Sequence, residues 1–148
     1  MQGIIIIIII VIIITIIIII YHHYHHCHHC YHYHYYHHYY HYHNKVLSES
    51  VSNCTNLQKL LVFHNRLHDL PHNIGNLKRL EVLDAHVNEF KLLPTSIVDC
   101  ASLTTINLIG NRLIRLPELM GTMKVIKSID VTSNRLFQLP YSLGLSPS

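Results

Sequence analysis

The sequence predicts an α/β repeat solenoid, with short parallel strands stacked on a concave face and short helical or 3₁₀ segments returning along the convex one. Three observations carry this. Asn65, Asn88, Asn111 and Asn134 fall 23 residues apart. The steps Leu70-Pro71, Leu93-Pro94, Leu116-Pro117 and Leu139-Pro140 keep the same beat. Between them, apolar columns return in register: Leu57, Leu80, Leu103, Ile126; then Leu60, Leu83, Ile106, Ile129; then Val62, Ala85, Leu108, Val131; then Leu67, Phe90, Leu113, Leu136. Units this short bury their apolar residues only by stacking on neighbours.

Each part of the unit has a physical reason. Thr105-Ile106-Asn107-Leu108-Ile109 alternates with period 2, so it reads as a strand with Ile106 and Leu108 pointing inward. Strands stacked at about 4.8 Å make the concave parallel sheet. Asparagine follows where the chain turns away, and its amide can donate to and accept from backbone groups left over in the bend. Leu-Pro then fixes φ where no ladder donor is needed. Residues 71–77 and their equivalents return along the convex side. Four strands are expected.

Taken from its start, the chain of 148 residues divides sharply. All eleven Lys and Arg and all eight Asp and Glu lie at or after Lys45, so residues 1–44 form a low-complexity segment and 45–148 a repeat domain of about four units. The net charge of +3 is too mild and scattered for a nucleic-acid partner.

Residues 4–20 hold fifteen Ile, with Val11 and Thr15. As a helix they would span about 26 Å, within membrane range, and a membrane anchor is one reading. Residues 21–43 contain only Tyr, His and two Cys. Cys27-His28-His29-Cys30 has metal-ligand spacing, but no Gly, Pro or apolar staple holds a knuckle around it. A third reading is preferred. Ile, Val and Thr are single-base neighbours in the genetic code, as are Tyr, His, Cys and Asn, so a drifting trinucleotide repeat would encode this segment. On that reading residues 1–44 add nothing to the fold.

From Lys45 the pattern starts in mid-repeat. Leu47, Val51 and Cys54 lie 23 residues before Leu70, Ile74 and Leu77, and the missing strand should fall near residues 34–42. No polar capping unit marks either end, so the chain reads as an interior piece of a longer repeat protein. Cys54 and Cys100 share a convex apolar column with Leu77 and Met123 and are expected as core thiols. Nothing in that pattern calls for an oxidising compartment.

The motif L-x-x-L-x-L-x-x-N-x-L-x-x-L-P-x-x-I-x-x-L, clear from Leu57 to Leu77 and again from Leu80 and Leu103, resembles the intracellular leucine-rich repeats of the Scribble and Ras-suppressor type. Ala85, Phe90, Met120, Met123 and Ile126 depart from it mildly. The resemblance implies a cytoplasmic, non-enzymatic scaffold without cofactor. It would bind another protein on its concave sheet, in small-GTPase or polarity signalling.

Outward strand positions form three columns: Lys59, Val82, Thr105, Ser128; Leu61, Asp84, Asn107, Asp130; and Phe63, His86, Ile109, Thr132. The candidate partner site is Phe63, Asp84, His86, Asn107, Ile109 and Asp130. Phe63 and Ile109 supply apolar anchors, while Asp84 and Asp130 favour basic groups opposite. Asp84 and His86 also allow an acid–base reading, but no nucleophile elbow or phosphate loop accompanies them. His64, His68 and His72 read as surface residues, and Arg66, Arg112 and Arg135 as a solvated row.

Overall fold

The computed structural model describes residues 35–37 and 45–145. The anchor reading of residues 4–20 and the Cys27–Cys30 metal reading lie outside that set. Among the described residues no helix is long and apolar enough to cross a membrane. Nor does any group of three His, Cys, Asp or Glu side chains among them converge as a metal site would require.

Five strands form one parallel sheet in chain order: β1 (Tyr35–His37), β2 (Lys59–Leu61), β3 (Val82–Asp84), β4 (Thr105–Asn107) and β5 (Ser128–Asp130). Four are the expected strands, each with its middle residue inward, and Leu60, Leu83 and Ile106 are fully buried. Register from β2 onward follows the beat, pairing Lys59 with Val82, Val82 with Thr105 and Thr105 with Ser128. β1 lies within residues 34–42, where the repeat register places the missing strand, and so corrects the expectation that residues 1–44 add nothing to the fold. It pairs Tyr35 with Lys59, which lengthens that step by one residue. Strand pairing uses backbone groups and so needs no apolar period, which is why composition hid it.

The convex side returns as 3₁₀ turns over Glu49–Asn53, Ile74–Asn76, Thr95–Asp99, Glu118–Thr122 and Tyr141–Leu145. Each opens on an N–H to C=O(i−3) bond to the residue closing the preceding loop: Val51 to Ser48, Ile74 to Pro71, Ile97 to Pro94, Met120 to Pro117 and Leu143 to Pro140. Proline suits that place, since its carbonyl accepts while its absent N–H is not required. The turns pack closely. A Cβ on Gly75 would overlap the Ser96 carbonyl, and one on Gly121 the Ser142 backbone. Between turns and sheet lies one core running from Leu47 to Met123, with Phe90 its largest fully buried side chain and Ala85 fully buried in its own column. At the β5 end the equivalents Ile126, Ile129, Val131 and Leu136 are only partly buried.

The asparagines stitch successive units together. Asn111 Nδ2 donates to the Leu108 carbonyl of its own repeat and to the Ala85 carbonyl of the one before, both at 3.0 Å. Its Oδ1 accepts from Phe90 N at 3.1 Å. Asn88 repeats the pattern with Ala85, Val62 and Leu67, and Asn134 with Val131, Leu108 and Leu113. Asn65 donates to Val62 and Phe63. Interior carbonyls such as Ala85 O therefore receive two amide donors, one from each side.

The residue before each of these asparagines is left-handed: His64 at φ 53°, Val87 at 53°, Gly110 at 67° and Ser133 at 57°. This column went unremarked in the sequence, although Gly110 stands in it. Glycine suits the conformation; valine, branched at Cβ, is strained there.

The cysteine expectation divides. Cys100 is a free, buried thiol whose Sγ lies 3.3 Å from the Ile74 carbonyl. Burial pushes its pKa up to about 12; Lys78 opposes the shift and Asp99 adds to it. Cys54 is buried as expected but is disulfide-bonded, so it is no free thiol.

Three tests follow from this packing. Asn111→Leu leaves Phe90 N–H as a buried orphan, whereas Ala85 O and Leu108 O keep Asn88 and Asn134. The loss should be about 1–3 kcal/mol in chemical denaturation, and an unshifted midpoint would contradict the ladder. Val87→Asn relieves the left-handed strain and should raise stability by about 1 kcal/mol in the same assay. For Cys100, a pKa near 12 leaves roughly 10⁻⁴ of it as thiolate at pH 8. Mass-spectrometric alkylation of its peptide should therefore wait on unfolding, and rapid labelling of the native chain would refute its burial.

Candidate concave binding site

The concave residues just past the strand ends stay in register because the ladder continues beyond the strands. Val62 N donates to Asp84 O at 2.8 Å, His64 N to His86 O at 3.0 Å and Val87 N to Ile109 O at 2.8 Å. That pairing places Phe63 beside His86. Their rings stack, with centroids 4.8 Å apart and planes 14° from parallel. His64 closes the group edge-on, 4.8 Å from the His86 ring and 5.9 Å from the Phe63 ring. By sequence alone His64 is an ordinary surface residue. Its left-handed backbone turns it toward the rings, and the Gly110 column was the available signal.

Asp84 and His86 are joined as well as adjacent. His86 Nδ1 lies 2.6 Å from Asp84 Oδ1, and both side chains are about three-quarters covered. Donation from Nδ1 to the carboxylate fixes the tautomer. Asn107 Nδ2, 3.5 Å from that same Nδ1, is then a neighbour rather than a hydrogen-bond donor to it. The groups around His86 are thus a carboxylate, an amide and two rings.

The Asp84, Asn107, Asp130 column also does local work. Each side-chain oxygen accepts from the backbone N two residues on: His86 at 3.3 Å, Ile109 at 3.2 Å and Thr132 at 3.0 Å. This is the Asx arrangement that bends a chain leaving a strand. At Asp130 the Thr132 hydroxyl and backbone N–H hold the carboxyl below its ordinary value, against a small opposing effect of burial. The stabilisation is present above the ordinary value of 3.8 and fades as pH falls below it. Ile109 continues the Phe63 and His86 column, and Asp130 pairs with Asn107 in the β4–β5 register. Phe63, His64, Asp84, His86 and Asn107 form one cluster; Ile109 and Asp130 extend it toward β5.

His68 and Arg112 lie elsewhere, both on Glu89. Oε2 of Glu89 stands 3.3 Å from His68 Nε2 and 2.9 Å from Arg112 Nη1. Arg112 is therefore ion-paired rather than purely solvated.

Stacked strands, 3₁₀ returns and an asparagine ladder define a leucine-rich repeat solenoid, and solved structures agree. A leucine-rich repeat protein of Leptospira interrogans is 34% identical with a TM-score of 0.64, over 68% of this chain and 26% of that one. The leucine-rich repeat ectodomain of the receptor kinase SOBIR1 from Arabidopsis thaliana, 22% identical with a TM-score of 0.50, matches 64% of this chain and 65% of its own. The latter likeness is one of fold alone. This chain spans about a quarter of the Leptospira protein's length. No family model and no curated relative matches the chain.

Proposed function

We propose that the chain is a non-enzymatic scaffold that binds another protein on its concave face, centred on Phe63, His64, Asp84, His86 and Asn107. The observation that carries this is the Phe63–His86 stack, a rigid aromatic platform bordered by a carboxylate and an amide on a hydrogen-bonded sheet. Preformed groups lose little entropy on binding, and a few anchors of this kind dominate an interface. The same platform with Asp84 beside it suits a basic side chain, above all an arginine stacking on the ring. A hydrolytic role would need a nucleophile on His86, and its neighbours here are Asp84, Asn107, Phe63 and His64.

Small-GTPase or polarity signalling is the finer setting we infer, and it rests on the resemblance of the Leu-Pro repeats alone. That resemblance also carries a cytoplasmic location.

Crosslinking followed by capture, comparing the parent chain with Phe63→Ala/Asp84→Lys/Asp130→Lys, tests the concave site. Specific partners should fall by roughly tenfold or more, because an anchor is removed and the charge reversed. An identical partner set at equal yield would move the site elsewhere.

A further inference from the structure

The loops leaving the strands, residues 45–47, 65–70, 88–93, 111–116 and 134–139, form a surface distinct from the concave platform. They are bonded to one another as a ladder of their own. Glu89 N donates to Leu67 O at 2.9 Å, Arg112 N to Phe90 O at 3.0 Å and Arg135 N to Leu113 O at 2.9 Å. Farther out, His68 N donates to Lys45 O at 3.0 Å, Ile114 N to Lys91 O at 3.1 Å and Phe137 N to Ile114 O at 3.3 Å. Val46 and Asp69 form a parallel bridge. These bonds set Lys45, His68, Lys91, Ile114 and Phe137 in one row, with Arg66, Glu89, Arg112 and Arg135 in a second beside it.

Two independent properties converge on this strip. The first is charge. It holds six of the eleven Lys and Arg residues but only two of the eight acids, Asp69 and Glu89. It is therefore strongly basic, while the remainder of the chain is close to neutral. Glu89 engages Arg112, and Arg66, Lys91, Arg115 and Arg135 form no ion pair among the described residues. The second is apolar exposure. Val46 is 72% exposed, Phe137 68%, Ile114 40% and Leu92 39%, interleaved with those cations. Large apolar side chains left in water beside unpaired arginines mark a surface made to be covered.

We propose that this strip docks a polypeptide segment in which acidic residues alternate with apolar ones. Arginine predominates over lysine here, and its planar fork matches carboxylates two bonds at a time. Five loops at about 4.8 Å extend roughly 19 Å, the length of about six extended residues. The segment's carboxylates would meet Arg66, Arg115 and Arg135, and its apolar side chains Leu92, Ile114 and Phe137. An anionic membrane fits less well, since Asp69 and Glu89 lie within the strip and would oppose it.

The test uses the full chain and a short fluorescent peptide alternating Glu with Leu and Phe, followed by anisotropy. Arg115→Glu/Arg135→Glu should weaken binding by roughly tenfold or more, while Arg79→Glu/Lys124→Glu, the same charge change on the loops that lead from the 3₁₀ turns into the strands, stays within about threefold. Phe137→Ala should also weaken it, and Phe63→Ala should not, which separates this strip from the concave site. Equal losses from the two charge-reversed pairs would reduce the effect to diffuse attraction and overturn the proposal. So would absence of peptide binding, or capture by phosphatidylserine vesicles without capture of the peptide.

Discussion

The stack depends on what happens where each strand ends. A β-bend leaves backbone donors and acceptors facing the interior, where each unpaired group would be costly. One asparagine per repeat resolves this across two units at once, as Asn111 does with Leu108, Ala85 and Phe90. The bond to the previous repeat makes neighbouring units interdependent, so the apolar columns line up without slipping. Everything functional rests on that alignment. The Phe63–His86 stack and the strand-exit strip are both contacts between residues about one repeat apart.

The bend also has a backbone requirement. Turning the chain toward the asparagine puts the preceding residue in the left-handed region, at the expense of strain in Val87. The Asx bonds of Asp84, Asn107 and Asp130 support the same turn from the concave side. Those three side chains are thus held in place by their own backbone. For a binding surface this is useful, because rigid groups present a defined pattern before any partner arrives.

The parts of this architecture legible in the sequence were those with a period. Strand positions β2 to β5, the buried columns and the asparagines all follow from the 23-residue beat. The columns also brought Phe63, Asp84, His86 and Asn107 to one face. What the period could not show was aperiodic or local. The register placed a strand near residues 34–42, where β1 lies, but not its step to β2, which is one residue longer than the beat. That Cys54 is disulfide-bonded has no periodic signal either. The edge-on contact of His64 with His86 depends on a positive φ that a histidine does not advertise. The strip likewise required exposures, since the period sets Ile114 outside the buried columns without showing how much of it or of Phe137 meets water.

The most direct measurement of the ladder is residue-resolved amide hydrogen exchange. Leu67, Phe90 and Leu113 donate to asparagine side chains rather than to any strand or helix. The ladder predicts that these three amides exchange only through global unfolding, as slowly as the central strand amides of β3 and β4. Exchange at the rate of exposed loop amides, with the strands still protected, would show that the asparagines do not hold the repeats together.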